Sequence, residues 1–308
     1  MNFLITIKLT DINASQSEAF FNFASMENVA FIINPFSAKK NYHPFLSELK
    51  TKVKDPLFYI SDSVAGTDDF IREHFSTVDV FVAIGGDGTI STVARNLIGT
   101  GKILGIFPAG SGNGFSNENK FSKNLDELLE KLRTKSSRKI DTFTVNGLLS
   151  INVSGTGFDG KVVKEFEKTS RGFKNYIRVS LKTFFSYKPI KLKFFSEGYQ
   201  QYNGKYLMVN IANTRQFGNN AYIAPQASKS DGLVDMVLVK KFPLAYSPLF
   251  AFRMFTKKLR EDDYITYLPV SEIEFRVNTK NWHIDGEFNK IKSPVHIKVQ
   301  PASLNILI

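Results

Sequence analysis

The sequence has no cysteine and a single tryptophan among its 308 residues. Without cysteine, disulfide bonds, thiolate catalysis and cysteine-bound zinc or iron–sulfur clusters are excluded. Long apolar runs are also missing, since none approaches the roughly 20 residues that cross a bilayer as a helix. No basic residue precedes Lys8, so the N-terminus does not resemble a secretory signal. We therefore expect a cytoplasmic protein without a transmembrane helix.

Acidic residues are scarce in one part of the chain. The whole sequence carries 40 basic and 29 acidic side chains, which gives a formal net charge of +11. Residues 161–260 hold 19 basic and only 5 acidic residues, so this segment alone has a net charge of +14. Such an excess indicates an anionic partner, which is a nucleic acid, a membrane surface or a phosphorylated substrate.

The first half of the chain alternates strand patterns with helix patterns. Compact β-rich runs occur at Val29–Ile33, Val78–Ile84 and Lys102–Phe107, and each is followed by a turn rich in Pro or Gly. Helical periodicity appears between the later runs. This alternation predicts a parallel sheet covered by helices on both faces, and hence an α/β domain over residues 28–142.

The second half shows the period-2 alternation that is typical of half-buried antiparallel strands. Apolar and polar residues alternate at Ile190–Phe194, Ile273–Val277 and Val295–Val299. We therefore expect a mostly antiparallel, β-rich domain over residues 143–300, with the boundary between the two domains near Asp141–Val145.

Three other segments carry separate expectations. Residues 1–27 precede the first strand and form an N-terminal extension that is either disordered or adds a strand. Residues 301–308 are an apolar strand that belongs to the second domain or returns to the first. Residues 247–259 predict a helix with an apolar stripe beside a basic one, which either packs on its own domain or lies on an anionic membrane.

Two glycine-rich loops follow neighbouring strands of the predicted α/β domain. The first, GGDGT at Gly85–Thr89, opens a helix, so its N–H groups and the helix N-terminus suit a phosphate. Asp87 within it works through Mg²⁺ or orders the loop. The second, PAGSGNG at Pro108–Gly114, is equally open, and loops at the carboxyl ends of adjacent parallel strands converge on one crevice. We predict a nucleotide site there; two tight turns are the alternative.

Three motifs in the second half combine carboxylates with glycine turns. DGE at Asp285–Glu287 supplies a general base and a metal contact, or else forms a solvated hairpin. Asp231 in an SDG turn can contact a hard cation, although one carboxylate makes a weak site. GTGFDGK at Gly155–Lys161 is no P-loop, because Val162 replaces the required Ser or Thr, and a glycine-rich turn that exposes Asp159 is the alternative left open. The histidines lack ligand spacing, which argues against a histidine-bound metal.

In order and spacing, these motifs resemble the diacylglycerol kinase catalytic-domain family. The series runs from Asn34-Pro35 and Ser37 through both glycine loops to the SDG and DGE turns, over about residues 28–308. The family includes bacterial lipid kinases, sphingosine kinases and ceramide kinases, and is related more distantly to NAD kinases. The resemblance implies an α/β ATP-binding domain of the NAD-kinase type followed by a β-sandwich domain. It also implies Mg²⁺-dependent transfer of the γ-phosphate of ATP to a lipid hydroxyl.

The resemblance implies a role for each matched residue. Catalysis falls to Asp87 and to the DGE carboxylates Asp285 and Glu287, either of which can be the general base. Asp159 matches the residue that holds the polar head of the substrate in sphingosine kinases. The residues implied to contact ATP are Asn34, Ser37, Ser61, Gly85, Gly86, Asp87, Gly88, Thr89, Gly110, Ser111, Gly112 and Asn113. Those implied to hold a structural Mg²⁺ are Asp231 and the main-chain carbonyls of Ser228 and Leu233.

One departure and two alternatives accompany this resemblance. The first motif reads Ser37-Ala38-Lys39 where the family usually has Ser-Gly-Lys, and the small alanine still lets a phosphate approach. A NAD kinase-like enzyme is one alternative, although Asn117-Glu118 comes too early to match its substrate motif. A non-catalytic module that binds lipid or nucleic acid is the other, and no aromatic-basic RNA motif supports it. We expect a lipid substrate and peripheral contact with an anionic membrane, and no nucleic acid.

Overall fold

The structure, a computed structural model, describes residues 26–37, 42–110, 112–169 and 173–308. The N-terminal extension expected at residues 1–27 therefore lies outside the described residues, apart from its last two. Ser111 in the second glycine loop also lies outside them.

Residues 29–134 alternate between parallel strands and helices. The four strands pair in the order β2-β1-β3-β4, and β1 and β3 are buried along their whole length, which is why they are apolar throughout. The strands are β1 (Val29–Ile33), β2 (Leu57–Ile60), β3 (Val80–Gly85) and β4 (Ile103–Pro108). The helices are α1 (His43–Lys52), α2 (Val64–Glu73), α3 (Asp87–Arg95), α4 (Gly114–Glu118) and α5 (Leu125–Thr134).

Residues 137–308 consist mainly of antiparallel strands. The strands are β5 (Ser137–Val145), β6 (Leu148–Ser150), β7 (Val153–Gly157), β8 (Ile190–Phe194), β9 (Gly204–Tyr206), β10 (Met208–Ala212), β11 (Val234–Val239), β12 (Ile265–Val270), β13 (Glu272–Val277), β14 (Asn281–Ile284), β15 (Glu287–Lys290) and β16 (Val295–Leu307). The helices are α6 (Phe158–Phe166), α7 (Phe173–Ser186) and α8 (Ser247–Phe255), with short 3₁₀ helices at Glu197–Tyr202 and Leu244–Tyr246. Across the described ranges, no helix is both long enough and apolar enough to cross a bilayer.

Two sheets enclose the core of the second half. One has six strands in the order β12-β11-β10-β7-β14-β15, and the other contains β16, β13, β8 and β9, with β5 beside β16. Alternate residues of β8 and β13 point into this core, so the period-2 pattern of the sequence is the pattern of burial. Phe143, Phe194, Phe275 and Trp282 are its bulkiest fully buried members. The predicted fold class, an α/β domain with a parallel sheet followed by a mostly antiparallel β-sandwich, is confirmed.

Strand β16 belongs to both halves of the molecule. Its first part pairs antiparallel with β13 and β5, while Asn305 and Ile306 near its end pair in parallel with β4. The parallel sheet therefore continues without a gap into one sheet of the sandwich. Residues 301–307 lie in this shared strand, so all but the last residue of the segment that the sequence assigned to neither domain alone belongs to it.

A bulge lets β16 bend from one half into the other. Its pairing with β5 shifts between Gln300 and Leu304, and Ala302 adopts a left-handed φ of 47° there. The buried Asp141 accepts the N–H of Ala302 at 2.7 Å and that of Gly232 at 2.7 Å. Asp141 lies on β5, which runs unbroken past residues 142 and 143, so the expected domain boundary falls inside a strand that both halves share.

The junction at β16 can be tested by truncating one of its side chains. Ile306→Ala is expected to lower the free energy of unfolding by about 2–5 kcal/mol, because it removes a fully buried side chain where β16 meets β4. Ile308→Ala is the matched control, since Ile308 is 45% exposed and its loss should cost less than about 0.5 kcal/mol. Urea titration followed by circular dichroism measures both, and equal losses would contradict the central position of β16.

Candidate active site

The two glycine loops meet at the carboxyl edge of the parallel sheet. Gly86 and Gly110 pack backbone against backbone, and a Cβ on Gly110 would clash with the Cα of Gly86. A Cβ on Gly114 would likewise strike the carbonyl of Phe217, which belongs to the second domain. Only glycine fits at these contacts. The result is an open backbone cradle at the N-terminus of α3, of the kind that receives phosphate groups.

Asp87 fastens the two loops to each other. Its carboxylate accepts the N–H of Gly114 at 3.0 Å and that of Phe115 at 3.2 Å, both at the start of α4. Burial raises the pKa of Asp87 to about 6, with the nearby charge of Asp285 adding to the effect and the two N–H groups opposing it. The sequence left two roles open for Asp87, a contact with Mg²⁺ and ordering of the loop. These hydrogen bonds favour the second role.

The ends of β1 and β2 lie beside the first loop. Asn34 donates its side-chain amide to Thr89 Oγ1 at 2.8 Å and accepts the N–H of Phe36 at 2.9 Å. Ser37 donates its N–H to the Asn34 carbonyl at 3.1 Å, and Ser61 follows β2, which pairs with β1. The structure thus brings Asn34, Ser37 and Ser61 to the same edge of the sheet as the cradle.

The second loop contains a buried polar atom without a partner. Asn113 has a left-handed φ of 49° and donates its side-chain amide to the carbonyl of Gly110 at 2.8 Å. Its Oδ1 atom is buried and has no hydrogen-bond partner among the described residues. Buried acceptors are normally satisfied, so this oxygen fits a bound cation with its water, or a hydroxyl of a nucleotide.

Asp285 joins the two domains through four hydrogen bonds. It accepts the hydroxyls of Ser91 at 2.9 Å and Ser150 at 2.6 Å, and the N–H groups of Ile151 at 3.0 Å and Asn152 at 2.9 Å. Ser91 lies on α3 in the first domain, whereas Ser150 ends β6 and Ile151 and Asn152 lie between β6 and β7. Burial raises the pKa of Asp285 and these donors oppose the rise. Both carboxylate oxygens are engaged by these donors, so neither is left to accept a hydrogen bond from a substrate hydroxyl.

Glu287, two residues further on, has a different environment. It is exposed, and a Cβ on Gly88 would clash with its Oε1 atom, so the first loop approaches this carboxylate as closely as glycine allows. Gly88 and Glu287 both line a cavity of about 500 Å³ between α3 and the DGE turn. Its walls also include Ser91, Thr92, Arg95, Ile98, Thr144, Leu149, Ile284, Asn289 and Gln300.

The alternative of a glycine-rich turn that exposes Asp159 is wrong. Asp159 is only 5% exposed, because its carboxylate is drawn inward by the side-chain amide of Asn210 and by His283 Nε2 at 3.1 Å. Gly286 of the DGE turn directs its N–H to His283 Nδ1 at 3.3 Å, which leaves Nε2 as the protonated nitrogen. His283 therefore links Asp159 to the DGE turn.

The SDG turn lies at the start of β11. Gly232 donates its N–H to Asp141, and Leu233 donates its N–H to Asp231 at 3.1 Å. Burial, and secondarily the charge of Asp231, raise the pKa of Asp235 to about 6. Two carboxylates that repel each other suit a divalent cation. Within the described ranges no three His, Asp or Glu side chains converge on one point, so such a cation would also need carbonyls, as of Ser228 and Leu233, and water.

Several polar residues complete the site without belonging to a glycine motif. No motif of the sequence points to Ser91, Ser150, Asn152 or Asn210, and His283 drew attention only as one of the histidines that lack ligand spacing. Asn210 offers the clearest signal, because it interrupts an apolar strand, MVNIA, that is buried at every position. A polar side chain within such a run must find a buried partner, and here the partner is Asp159.

Comparisons with known proteins agree with this architecture. The sequence profile of the diacylglycerol kinase catalytic domain matches residues 28–145. The profile of the YegS C-terminal NAD kinase beta sandwich-like domain matches residues 152–308. The two profiles together span both domains of the structure. The chain belongs to the diacylglycerol kinase and YegS-like family.

Similar proteins cover nearly the whole chain. A diacylglycerol kinase of Bacillus subtilis (strain 168) is 25% identical over 285 residues, which are 85% of this chain and 90% of that protein. A diacylglycerol kinase of Mycobacterium tuberculosis (strain ATCC 25618 / H37Rv) is 25% identical over 301 residues, 91% and 94% of the two chains. The crystal structure of a diacylglycerol kinase from Bacillus anthracis str. Sterne has a TM-score of 0.68 at 20% identity, covering 91% of this chain and 96% of that chain. That likeness shows a shared fold.

The raised pKa of Asp87 predicts a pH-dependent stability. Between its ordinary pKa of 3.8 and about 6, the folded protein keeps a proton that the unfolded chain has released. The protonated carboxyl of Asp87 therefore contributes to the free energy of unfolding at low pH, and this contribution is lost as the pH rises through 6. Asp87→Asn removes this dependence, so from about pH 4 to about pH 7 its stability should gain up to about 3 kcal/mol relative to wild type.

Urea titrations of both proteins at several pH values measure that difference. Asp69→Asn, which changes an exposed carboxylate on α2, is the control, and its difference from wild type should stay constant. A constant difference for Asp87→Asn as well would contradict the buried position of this carboxylate.

Proposed function

We propose that this protein is an ATP-dependent lipid kinase that transfers the γ-phosphate of ATP to the hydroxyl of a diacylglycerol-like or sphingoid lipid. One observation carries the proposal: a glycine cradle suited to phosphates adjoins an exposed carboxylate, Glu287, through the close approach at Gly88. Phosphoryl transfer to an alcohol needs these two parts, a phosphate site and a proton acceptor beside it. Membership of a lipid kinase family supports a lipid as the acceptor.

The first loop and α3 bind the phosphates of ATP in this mechanism. Main-chain N–H groups and the N-terminus of α3 offset part of their negative charge. Asp87 keeps the second loop closed against the first, and Asn34 fixes Thr89. Mg²⁺, when bound, would neutralise the phosphates further, and the unpartnered Oδ1 of Asn113, together with water, would be among the groups that hold it.

Glu287 acts as the general base. It removes the proton from the lipid hydroxyl while the hydroxyl oxygen forms a bond to the γ-phosphorus, and the bond from that phosphorus to the bridging oxygen breaks to release ADP. Asp285 is not assigned as the general base, because its two oxygens already accept four hydrogen bonds. It holds the DGE turn, and thereby Glu287, against the first loop.

Asp159 holds the polar head of the substrate in this proposal. Its carboxylate is fixed by Asn210 and His283, and the ring of Phe217 lies 6.0 Å from that of His283, edge to face. An anionic acceptor beside aromatic rings suits an amphiphile with a hydroxyl or amino group. We place the enzyme in the cytoplasm, in peripheral contact with the membrane that contains this substrate.

The NAD kinase alternative fits less well. The Asn-Glu pair of this chain is Asn117-Glu118. Glu118 accepts a hydrogen bond from Arg215 Nε at 2.7 Å, and its side chain is only 7% exposed. It joins the two domains through this ion pair and does not face solvent. A soluble substrate would therefore find no free Asn-Glu motif at this position.

Loss of the proposed base should abolish turnover. Glu287→Gln is expected to lower kcat by at least about a hundredfold, since glutamine cannot accept a proton, while KM for ATP stays unchanged. Asp87→Ala should cause a loss of similar size by releasing the second loop. The assay follows radiolabelled phosphate from ATP into a panel of lipids, with NAD as the soluble acceptor.

Glu274→Gln is the matched control for this assay, because Glu274 is an exposed carboxylate on β13. Activity of Glu287→Gln close to wild type would sink the assignment of the base. Transfer to NAD and to none of the lipids would favour the NAD kinase alternative.

A second metal site, at the SDG turn, has its own test. If Mg²⁺ binds Asp231 in the folded protein alone, added Mg²⁺ should raise the Tm of wild type in the absence of ATP. Asp231→Ala should lose most of that rise, whereas Asp263→Ala, which alters an exposed carboxylate elsewhere, should keep it. An undiminished rise in Asp231→Ala would show that Mg²⁺ does not bind at this turn.

A further inference from the structure

Two helices of the second domain present large apolar side chains to solvent. Leu181 and Phe185, one turn apart on α7, are 56% and 67% exposed. Leu249 and Phe252, one turn apart on α8, are 42% and 58% exposed, and Leu244 in the 3₁₀ helix before α8 is 54% exposed. We call these five residues the apolar rim. Large apolar groups that gather at a surface mark a site of interaction.

Phe242 brings the two parts of the rim together. Its ring lies 5.4 Å from that of Phe184 on α7 and 5.0 Å from that of Phe250 on α8. Lys241 also donates to the carbonyl of Tyr187, just beyond α7, at 3.1 Å. Phe184 and Phe250 are next to rim residues in the chain, so both parts of the rim adjoin one aromatic cluster.

The segments that carry the rim have only basic charges. Residues 178–188 contain three basic residues and residues 240–260 contain six, and neither segment has an Asp or Glu. Among these nine, Arg253 is paired with Asp262 at 2.9 Å. The acidic residues 261–263 follow the second segment, and this pair neutralises one of them. The other eight are exposed: Arg178, Lys182, Lys188, Lys240, Lys241, Lys257, Lys258 and Arg260.

Aromatic rings connect the rim to Asp159. Phe158 precedes Asp159 on α6, and its ring lies 6.0 Å, edge to face, from both Phe184 and Tyr187. Burial raises the pKa of Tyr187, and the charge of Asp159 adds to the rise. A continuous apolar layer therefore leads from the exposed rim to the carboxylate that we assign to the head of the substrate.

We propose that the apolar rim inserts into the surface of an anionic bilayer, with the surrounding lysines and arginines on its headgroups. Apolar side chains flanked by cations are what such a surface binds, each basic group adding to the attraction. The choice of a bilayer over other anionic partners rests on the lipid kinase function proposed above. Docking at the rim places the aromatic layer, and behind it Asp159, next to the lipid.

Vesicle binding measures the contribution of the rim directly. Phe185→Ser with Phe252→Ser is expected to lower cosedimentation with vesicles of phosphatidylglycerol and phosphatidylcholine by at least about tenfold. Phe195→Ser is the control, because Phe195 is 41% exposed but follows β8 in the opposite sheet, and it should bind within about twofold of wild type. Circular dichroism confirms that each variant is folded.

The contribution of the basic residues around the rim is tested by a second pair of double variants. Lys182→Gln with Lys188→Gln should weaken binding to the anionic vesicles by at least about threefold, and added salt should remove that difference. Lys191→Gln with Lys193→Gln alters two exposed lysines on β8 and removes the same two positive charges from the net charge, but it should have a smaller effect.

Failure of the docking proposal can be told from failure of the kinase proposal, because the binding assay needs no turnover. Glu287→Gln should bind vesicles as wild type does. Docking is overturned if the rim variant binds like wild type or if Phe195→Ser loses as much. It is also overturned if sedimentation shows that the rim joins two copies of this chain, or if an oligonucleotide displaces the vesicles and binds through the same residues.

Discussion

The buried carboxylate of Asp285 is the contact on which the geometry of the crevice depends. Its donors come from α3 of one domain and from the β6–β7 segment of the other, so the cost of burying it is offset only when both domains are in place. Glu287 follows in the same turn and is thereby held at Gly88. The distance between phosphate cradle and proton acceptor is set by a group that does not itself react.

The strands and loops of the first domain could be predicted because the relevant physics is local. A parallel strand buried on both faces must be apolar throughout, as β1 and β3 are, and close approach of two backbones requires glycine, as at Gly86 and Gly110. The position of the DGE turn beside the first loop is different, since it depends on a fold that brings together residues nearly 200 positions apart, as at Ser91 and Asp285 (194 positions).

Burial of individual polar and apolar side chains was not predictable for the same reason. Asp159 looked exposed from its glycine turn, but its partners Asn210 and His283 are 51 and 124 positions away. The apolar stripe expected on residues 247–259 shows the same limit. Periodicity marks a helix with an apolar face, but it does not tell that Phe250 is covered while Phe252, two residues later, faces solvent.

Strand β16 has a consequence for how the chain reaches its native state. It is the last strand in the sequence, yet it lies between β4 and β13 in the interior of the ten-stranded sheet. Until it docks, both neighbours keep open edges, and open edges invite pairing with other chains. Pairings between distant segments also form slowly. The two domains are therefore not independent folding units, and the time before β16 inserts is when newly made chains are most exposed to aggregation.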